Sequence, residues 1–388
     1  MSLFYRLGHA CARHHRLVIA VWAGLLLLAL PLAPQLPGAL RSGGFTTDDL
    51  EASRARHVLE AELGMAPSAM VIVIQSTTDA RAGEPAFELA AARVLAGVPQ
   101  ARYVDELLTH HLAPRQVSQD GRTVYAIVTL DLPPDDSPLA LEPVQAALTD
   151  VPGMRAFLAG GPAFYGDIQT VSEHDLQRSE LISLPLAAIA LLLVFGSVVA
   201  AGVPIAVGGG AVVIALALIF LATHLTPFSI FVLNLATLLG LGLGVDYALL
   251  MTSRFREELA IGDGGLVGDG GVVGDGVVAT RDDIDAAVAR AVATAGRAVF
   301  FSGLTVLLGL VGLMLFEFMI LRSVGLAGAI VVAMAVTAAL TLLPATLAFL
   351  GPRIDALAVP RPWLRRVQPG AWGRLARRVM RRPGLVFV

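Results

Sequence analysis

Lysine is absent from this sequence, cysteine occurs once, and charge of either sign is scarce. All 28 basic residues are arginine. The lone Cys11 has no partner for an internal disulfide, so any part of the chain outside a membrane must be held together by packing alone. Charged residues make up 15% of the 388 positions, against about a quarter in soluble globular domains. Apolar residues take their place at 56%, and the mean hydropathy of +0.73 puts the chain in lipid. The net charge of −3 hides an asymmetry, because residues 35–180 hold 20 of the 31 acids and only 10 of the arginines. With no basic excess, nucleic acid is excluded as a partner. No phosphate loop, catalytic triad or zinc motif is present, so ATP hydrolysis and ordinary enzyme chemistry have no visible seat and no cofactor is implied. His9, His14 and His15 have no acid cluster at metal-ligand spacing.

Six stretches are apolar over the roughly 20 residues needed to cross a hydrocarbon core. They run over Leu17–Ala33, Leu181–Ala200, Val203–Ala222, Ile230–Thr252, Ala298–Phe316 and Val324–Leu350. Arg13, His14, His15 and Arg16 before the first stretch resemble a signal-peptide flank, but no small-x-small cleavage site follows. Pro31, Pro34 and Pro37 instead mark an exit from the membrane, and the stretch is read as a retained helix. Orientation follows from the arginines of short connections, which stay cytoplasmic. Arg6, Arg13 and Arg16, then Arg254, Arg256, Arg281, Arg290 and Arg297, then nine from Arg353 to Arg382, all fall on one side if the helices alternate. The N-terminus is then cytoplasmic, and residues 35–180 are outside.

That outer region is patterned like a soluble domain. Ala69–Ser76, Thr123–Leu132 and Met154–Ala159 read as strands, and Glu84–Ala96 and Leu139–Leu148 as helices. The β-α-β-α-β order points to a small α+β layer of ferredoxin-like type. From Pro162 a polar helix runs without a breaker into the second membrane helix. Residues 1–34 thus form the N-terminus and first helix, 35–180 the outer domain and 181–350 helices two to six. Residues 351–388 form an Arg-rich tail. Between Gly262 and Val278 a Gly-Asp pair recurs every six residues. Calcium-binding β-rolls use nine, so the stretch reads as a flexible insertion with no assigned function. The tail RLARRVMRRPGLVFV from Arg374 repeats RLGHACARHHRLVIA from Arg6 at an offset of 368 residues, which reads as the start of a second half. A generic Arg-rich flank is the alternative.

One ionisable residue lies deep in an apolar span. Asp246 in the fourth helix stands about two turns before Arg254, and inserting such a group costs ~2.5–3.5 kcal/mol on translocon scales. Protonation is the cheapest way out: a neutral acid is readily held in lipid, and one that ionises when its surroundings become wet suits a proton-coupled cycle. Tyr247 adds a hydroxyl about 100° around the helix. Gly240, Gly242 and Gly244 precede the pair, and Gly240 with Gly244 forms a GxxxG that lets a neighbouring helix approach closely. Ser302 and Thr305 share a face of the fifth helix and are candidate partners of Asp246. Hydroxyls bonded to carbonyls of their own helix are the equal alternative. An Asp246 satisfied by backbone and water, with no duty, also stays open.

These residues resemble the MmpL branch of the RND superfamily. The resemblance rests on GGPAFYGD at Gly160–Asp167, FGSVVAAGVPI at Phe195–Ile205, NLATLLGLGLGVDYALLMTSRFREEL at Asn234–Leu259, AVARAVATAGRAVFFSGLTV at Ala287–Val306 and LTLLPATLAFLGPRID at Leu340–Asp355. It implies a polytopic α-helical protein of the plasma membrane, with the outer layer serving as a porter domain. It also implies proton-motive-force-driven export of lipid or other hydrophobic compounds. Asp246 and Tyr247 then match the first of two Asp-Tyr pairs of a proton relay. The second pair belongs to a tenth helix beyond this sequence, so a second half or self-association is expected. A non-transporting lipid-binding scaffold or sensor, or an inactive truncated product, are the competing readings.

Overall fold

The computed structural model describes residues 2–359, apart from 42, 45, 46, 48, 113 and 263–279, together with 379–380. Apart from Gly262 and residues 379–380, the Gly-Asp repeat and the repeat beginning at Arg374 lie outside the described residues. The elements run α1 (Leu3–Arg13), α2 (His15–Ala29), α3 (Leu36–Ala39), α4 (Glu51–Leu63), β1 (Ser68–Ser76), α5 (Pro85–Leu95), β2 (Val104–Leu108), β3 (Thr123–Leu130), α6 (Leu141–Ala147), β4 (Met154–Ala159) and α7 (Gly161–Phe195). They continue with α8 (Val198–Thr223), α9 (Phe231–Gly262), α10 (Arg281–Ala291), α11 (Arg297–Gly312), α12 (Met319–Leu340) and α13 (Leu342–Leu350). Among the described residues, six helical stretches are long and apolar enough to span a membrane: His15–Ala39, Gly161–Phe195, Val198–Thr223, Phe231–Ala260, Arg281–Leu315 and Met319–Asp355.

The layer between the first two spans is a βαββαβ unit with an antiparallel sheet in the order β2-β3-β1-β4. Strand alternation builds its core. Val124, Ala126, Val128 and Leu130 of β3, with Met70, Ile72 and Ile74 of β1, face Phe87, Ala91 and Val94 of α5 and Val144 of α6. Three strands match the hydropathy reading, but β2 does not. Its five residues, VDELL, carry two exposed acids and pair with β3 alone, with a bulge between Val104 and Glu106. An edge strand protected by charge and a bulge lacks the apolar run by which buried strands are recognised.

Two boundaries in the membrane part differ from the hydropathy pattern. Span two ends at Gly196, which adopts φ 69° and closes the helix with an N–H to Leu192 O of 2.7 Å. Ser197 then caps α8 by accepting from Ala200 N. The turn therefore falls before residue 198, where the sequence reading continues the helix to Ala200. The sixth stretch is also broken, at Thr341 (φ −125°, ψ −63°). Pro344 has no N–H for the carbonyl of Leu340, one turn back. Cys11 Sγ donates to that carbonyl at 3.9 Å, and Trp22 Nε1 donates to Thr341 Oγ1 at 3.1 Å. α1 and α2 are thereby fastened at the break.

The soluble layer is joined to the helices in two ways. After Gly160 (φ 97°), β4 passes directly into the 35 residues of α7, a rod of ~50 Å at 1.5 Å per residue. The chain after span one forms the second link. Arg41 N donates to Phe228 O and Ile230 N to Arg41 O, between α8 and α9. Gly44 O accepts from Ile320 N at the start of α12, and Gly44 N donates to Asp135 Oδ1 in the layer. Arg41 also pairs with Asp136 at 3.4 Å.

Burial pushes the Cys11 thiol up from its ordinary value, so little thiolate forms at neutral pH. A maleimide added to the folded protein in detergent should therefore leave Cys11 largely unmodified, and unfolding in SDS should release rapid labelling. Mass spectrometry of the two samples reads the difference.

Candidate functional site

The sequence LGLGLGVDYALL gives α9 two kinds of face. Gly244 lies on the bundle side, where a Cβ would stand 2.7 Å from Gly208 Cα, so the backbones of α8 and α9 meet with no side chain between them. One turn earlier, a Cβ at Gly240 would meet Val212 and Val331 at 2.7 and 2.9 Å. Tyr247, Ala248 and Met251 are buried on this same side. Gly242 has open space around it. It shares the opposite stripe with Leu238, Asp246 and Leu250, each four residues apart and each exposed.

Asp246 therefore projects from the outward face of α9. Among the described residues no hydrogen bond or ion pair engages it. Tyr247 is 6% exposed, and its hydroxyl is buried with no hydrogen-bond partner among the described residues. That hydroxyl points at α11, where a Cβ on Gly303 would lie 3.5 Å from it. Ser302 and Thr305, on either side of Gly303, are exposed. Thr305 Oγ1 donates to Phe301 O at 2.9 Å within its own helix. Neither hydroxyl is joined to Asp246; the glycine between them is the α11 residue that meets the tyrosine. Gly303 carries no hydropathy or charge signal, which is why sequence reasoning passes over it. Between α10 and α11 the helix widens to a π-turn over Val292–Gly296, a distortion common at functional sites.

An ionic cluster closes the arginine-rich end of the bundle. Glu258, near the end of α9, is 6% exposed. It accepts from Arg290 Nε at 2.7 Å and pairs with Arg254 at 2.5 Å. Arg256 reaches Asp355 at 2.6 Å and donates to Phe195 O, and Arg281 donates to Ala348 O and Ala12 O. The i,i+4 spacing of Arg254 and Glu258 was visible in the sequence. Their convergence with Arg290 was not.

Six candidate membrane helices, a βαββαβ layer between the first two, and an acid on the outward face of a helix whose inner face is lined by glycine define a polytopic membrane protein of the RND architecture. The sequence matches the MMPL family over residues 45–265 and 277–386, and the chain belongs to that family. It is 34% identical over 380 residues to a membrane protein of Streptomyces coelicolor, covering 97% of this chain and 50% of that one. Over 294 residues it is 34% identical to the trehalose monomycolate exporter MmpL3 of Mycolicibacterium smegmatis, covering 69% and 27%. It is 29% identical over 398 residues to the mycolic acid-containing lipids exporter MmpL11 of the same organism, covering 97% and 38%. The chain thus spans half or less of the length of these relatives. A heavy metal efflux pump is similar in structure, with a TM-score of 0.56 at 13% identity, over 89% of this chain and 49% of that one. The hedgehog release protein Disp from the water bear Hypsibius dujardini follows at 0.50 and 14%, over 90% and 50%. At these identities the structural likeness is one of fold.

Two substitutions separate the faces of α9. Gly244→Ala forces a methyl against the Gly208 backbone and should cost about 1–3 kcal/mol, as overpacking does. Gly242→Ala enters open space and should be neutral or gain up to about 1 kcal/mol of helix propensity. Thermal unfolding of the purified chain in detergent compares them. By the same assay Glu258→Gln should lose on the order of 2 kcal/mol. That is less than the 3–5 kcal/mol of a fully buried pair, because both arginines remain about a third or more exposed.

Proposed function

We propose that this chain forms one half of a proton-motive-force-driven exporter of lipid or another hydrophobic compound, completed by a second MmpL-like half or by another copy of itself. In this reading the N-terminus is cytoplasmic, in the bacterial plasma membrane, and the βαββαβ layer is a ferredoxin-like porter unit on the outer side. The arginine distribution supports the orientation. The antiparallel 2-3-1-4 strand order supports the ferredoxin-like assignment, and the exporter names of the MmpL3 and MmpL11 relatives support a lipid cargo.

One observation carries the proposal: a carboxyl in the middle of a membrane helix, on the face its own bundle leaves open, beside a buried tyrosine hydroxyl that lacks a partner. A charge there is costly in lipid, so Asp246 favours one packing of α9 when neutral and another when ionised. Tyr247, facing Gly303, supplies a hydroxyl able to accept or pass on a proton once α9 shifts. The Gly208–Gly244 contact, having no side chains to unlock, lets α8 and α9 slide. α7 and the contacts of Arg41 and Gly44 carry that motion to the soluble layer. Ser302 and Thr305, exposed on α11, serve as candidate relay partners.

Asp246→Asn keeps the size of the side chain and removes its titration. In proteoliposomes with an imposed proton gradient, labelled lipid export should fall to background for Asp246→Asn, while insertion and thermal stability stay at wild-type levels. Tyr247→Phe should reduce it severely. Export that persists in Asp246→Asn with its proton dependence intact would overturn the assignment.

A further inference from the structure

A second cluster of reactive side chains lies far from the membrane acid, in the soluble layer. Glu88 stands one turn into α5, after Pro85 at the helix start. Its Oε1 accepts from Gly83 N at 2.7 Å, which holds the carboxylate toward the end of β2. There the chain leaves the edge strand at Leu108 and makes a tight turn closed by Leu112 N to Thr109 O at 3.1 Å. His110 and His111 are the two central residues of that turn. In a strand, consecutive side chains would face opposite ways. Here both rings reach the same carboxylate: His110 Nε2 is 3.0 Å and His111 Nε2 is 3.3 Å from Glu88 Oε2.

The three groups differ in how firmly they are held. The His110 side chain is 9% exposed, and its ring stands edge-on to the buried Phe87 at 6.4 Å. His111 is 64% exposed, with its ring tilted at 34° to that of His110 and 4.3 Å away between centroids. Burial alone would raise the Glu88 carboxyl, but the Gly83 amide and the two histidines outweigh it and hold it below its usual range. It is thus an anion at neutral pH.

One carboxylate suffices for one imidazole. A second imidazole nitrogen within 3.3 Å of the same carboxylate oxygen is more than such a pair requires. A divalent cation accounts for the convergence, because it is bound by imidazole nitrogens and a carboxylate together. The ligand atoms of Glu88, His110 and His111 all lie within 4.8 Å of one another. The shorter separations are close to the ~3.3 Å edge of a tetrahedron with bonds of about 2.0–2.1 Å. Beside the cluster runs a groove of about 280 Å³, walled by α5, Pro99 and Leu107, which leaves room for a fourth ligand from water or solute.

We propose that Glu88, His110 and His111 bind a divalent transition cation of the zinc type. Two nitrogen donors and one oxygen are the set such ions prefer, whereas calcium and magnesium select oxygen alone. The ion ties α5 to the turn that ends edge strand β2, so occupancy stiffens that side of the layer. The site stands apart from the export reading and would hold if that reading failed. In the sequence the carboxylate and the histidine pair are 22 residues apart on different elements, with no spacing motif to connect them.

The experiment uses the whole chain in detergent, stripped with a chelator and titrated with Zn²⁺ alone by calorimetry, then with Co²⁺ by visible absorption. A saturable site of one equivalent is expected, with Co²⁺ giving the intense absorption of low-coordinate geometry, and with zinc raising the unfolding temperature. Because His111 is exposed, His111→Ala should fold as wild type does. It and Glu88→Gln should each weaken zinc by more than the roughly tenfold to hundredfold that losing an outer-sphere partner costs. A His14→Ala/His15→Ala chain should bind as wild type. No saturable zinc binding, or zinc bound equally by wild type, His111→Ala and Glu88→Gln, would overturn the site.

Discussion

The contact of Gly244 with Gly208 is the constraint on which the membrane part depends. With no side chain at either position, α9 lies against α8 backbone to backbone, and this sets the rotation of α9 about its own axis. Once Gly240 and Gly244 face inward, the helical period turns Tyr247, Ala248 and Met251 into the core and Leu238, Gly242, Asp246 and Leu250 out of it. A larger residue at Gly244 would displace α9, and the acid would move with it. The placement of Asp246 therefore follows from two absent side chains rather than from any bond that Asp246 makes.

Around this contact the molecule is joined end to end by polar links at places where regular structure breaks. At the arginine-rich end, Glu258, Asp355 and the carbonyls of Phe195, Ala348 and Ala12 receive Arg254, Arg256, Arg281 and Arg290. At the opposite end, the backbone of Arg41 pairs with the α8–α9 connection and that of Gly44 with the start of α12, while Asp136 and Asp135 hold these two residues to the soluble layer. At helix ends and breaks the carbonyls lose their partners one turn on, and these donors replace them. The break at Thr341 follows the same rule, with Cys11 and Trp22 supplying the donors.

Much of this was readable from residues alone. The six apolar stretches, the strands of Ala69–Ser76, Thr123–Leu132 and Met154–Ala159, and the helix from the soluble layer into span two all carry long, periodic signals. Short or locally capped features were harder. β2 was hidden by its acids and its edge position, and the boundary between α7 and α8 was blurred by its apolar surroundings, although Gly196 and Ser197 are a capping pair. The break in the last stretch was marked only by Pro344. In the candidate site, Asp246 and Tyr247 stood out because an acid in an apolar run is conspicuous, and Gly240 and Gly244 by their spacing, whereas Gly242, expected with them at a helix contact, faces open space. Gly303 and Glu258 were not, since one is silent in hydropathy and the other looks like any charged helix end.

Hydropathy by itself commits this chain to a membrane with about 145 residues folded outside it, because the transfer of apolar surface is additive along a sequence and needs no knowledge of neighbours. Periodicity likewise places Asp246 and Tyr247 on different faces of one helix. Which face meets the bundle was decided only by packing, through a glycine on another helix. The same is true of the convergence of Glu88 with His110 and His111, and of Glu258 with Arg254 and Arg290. Such groups are close only because elements distant in the chain are pressed together, and no one-dimensional pattern records that approach.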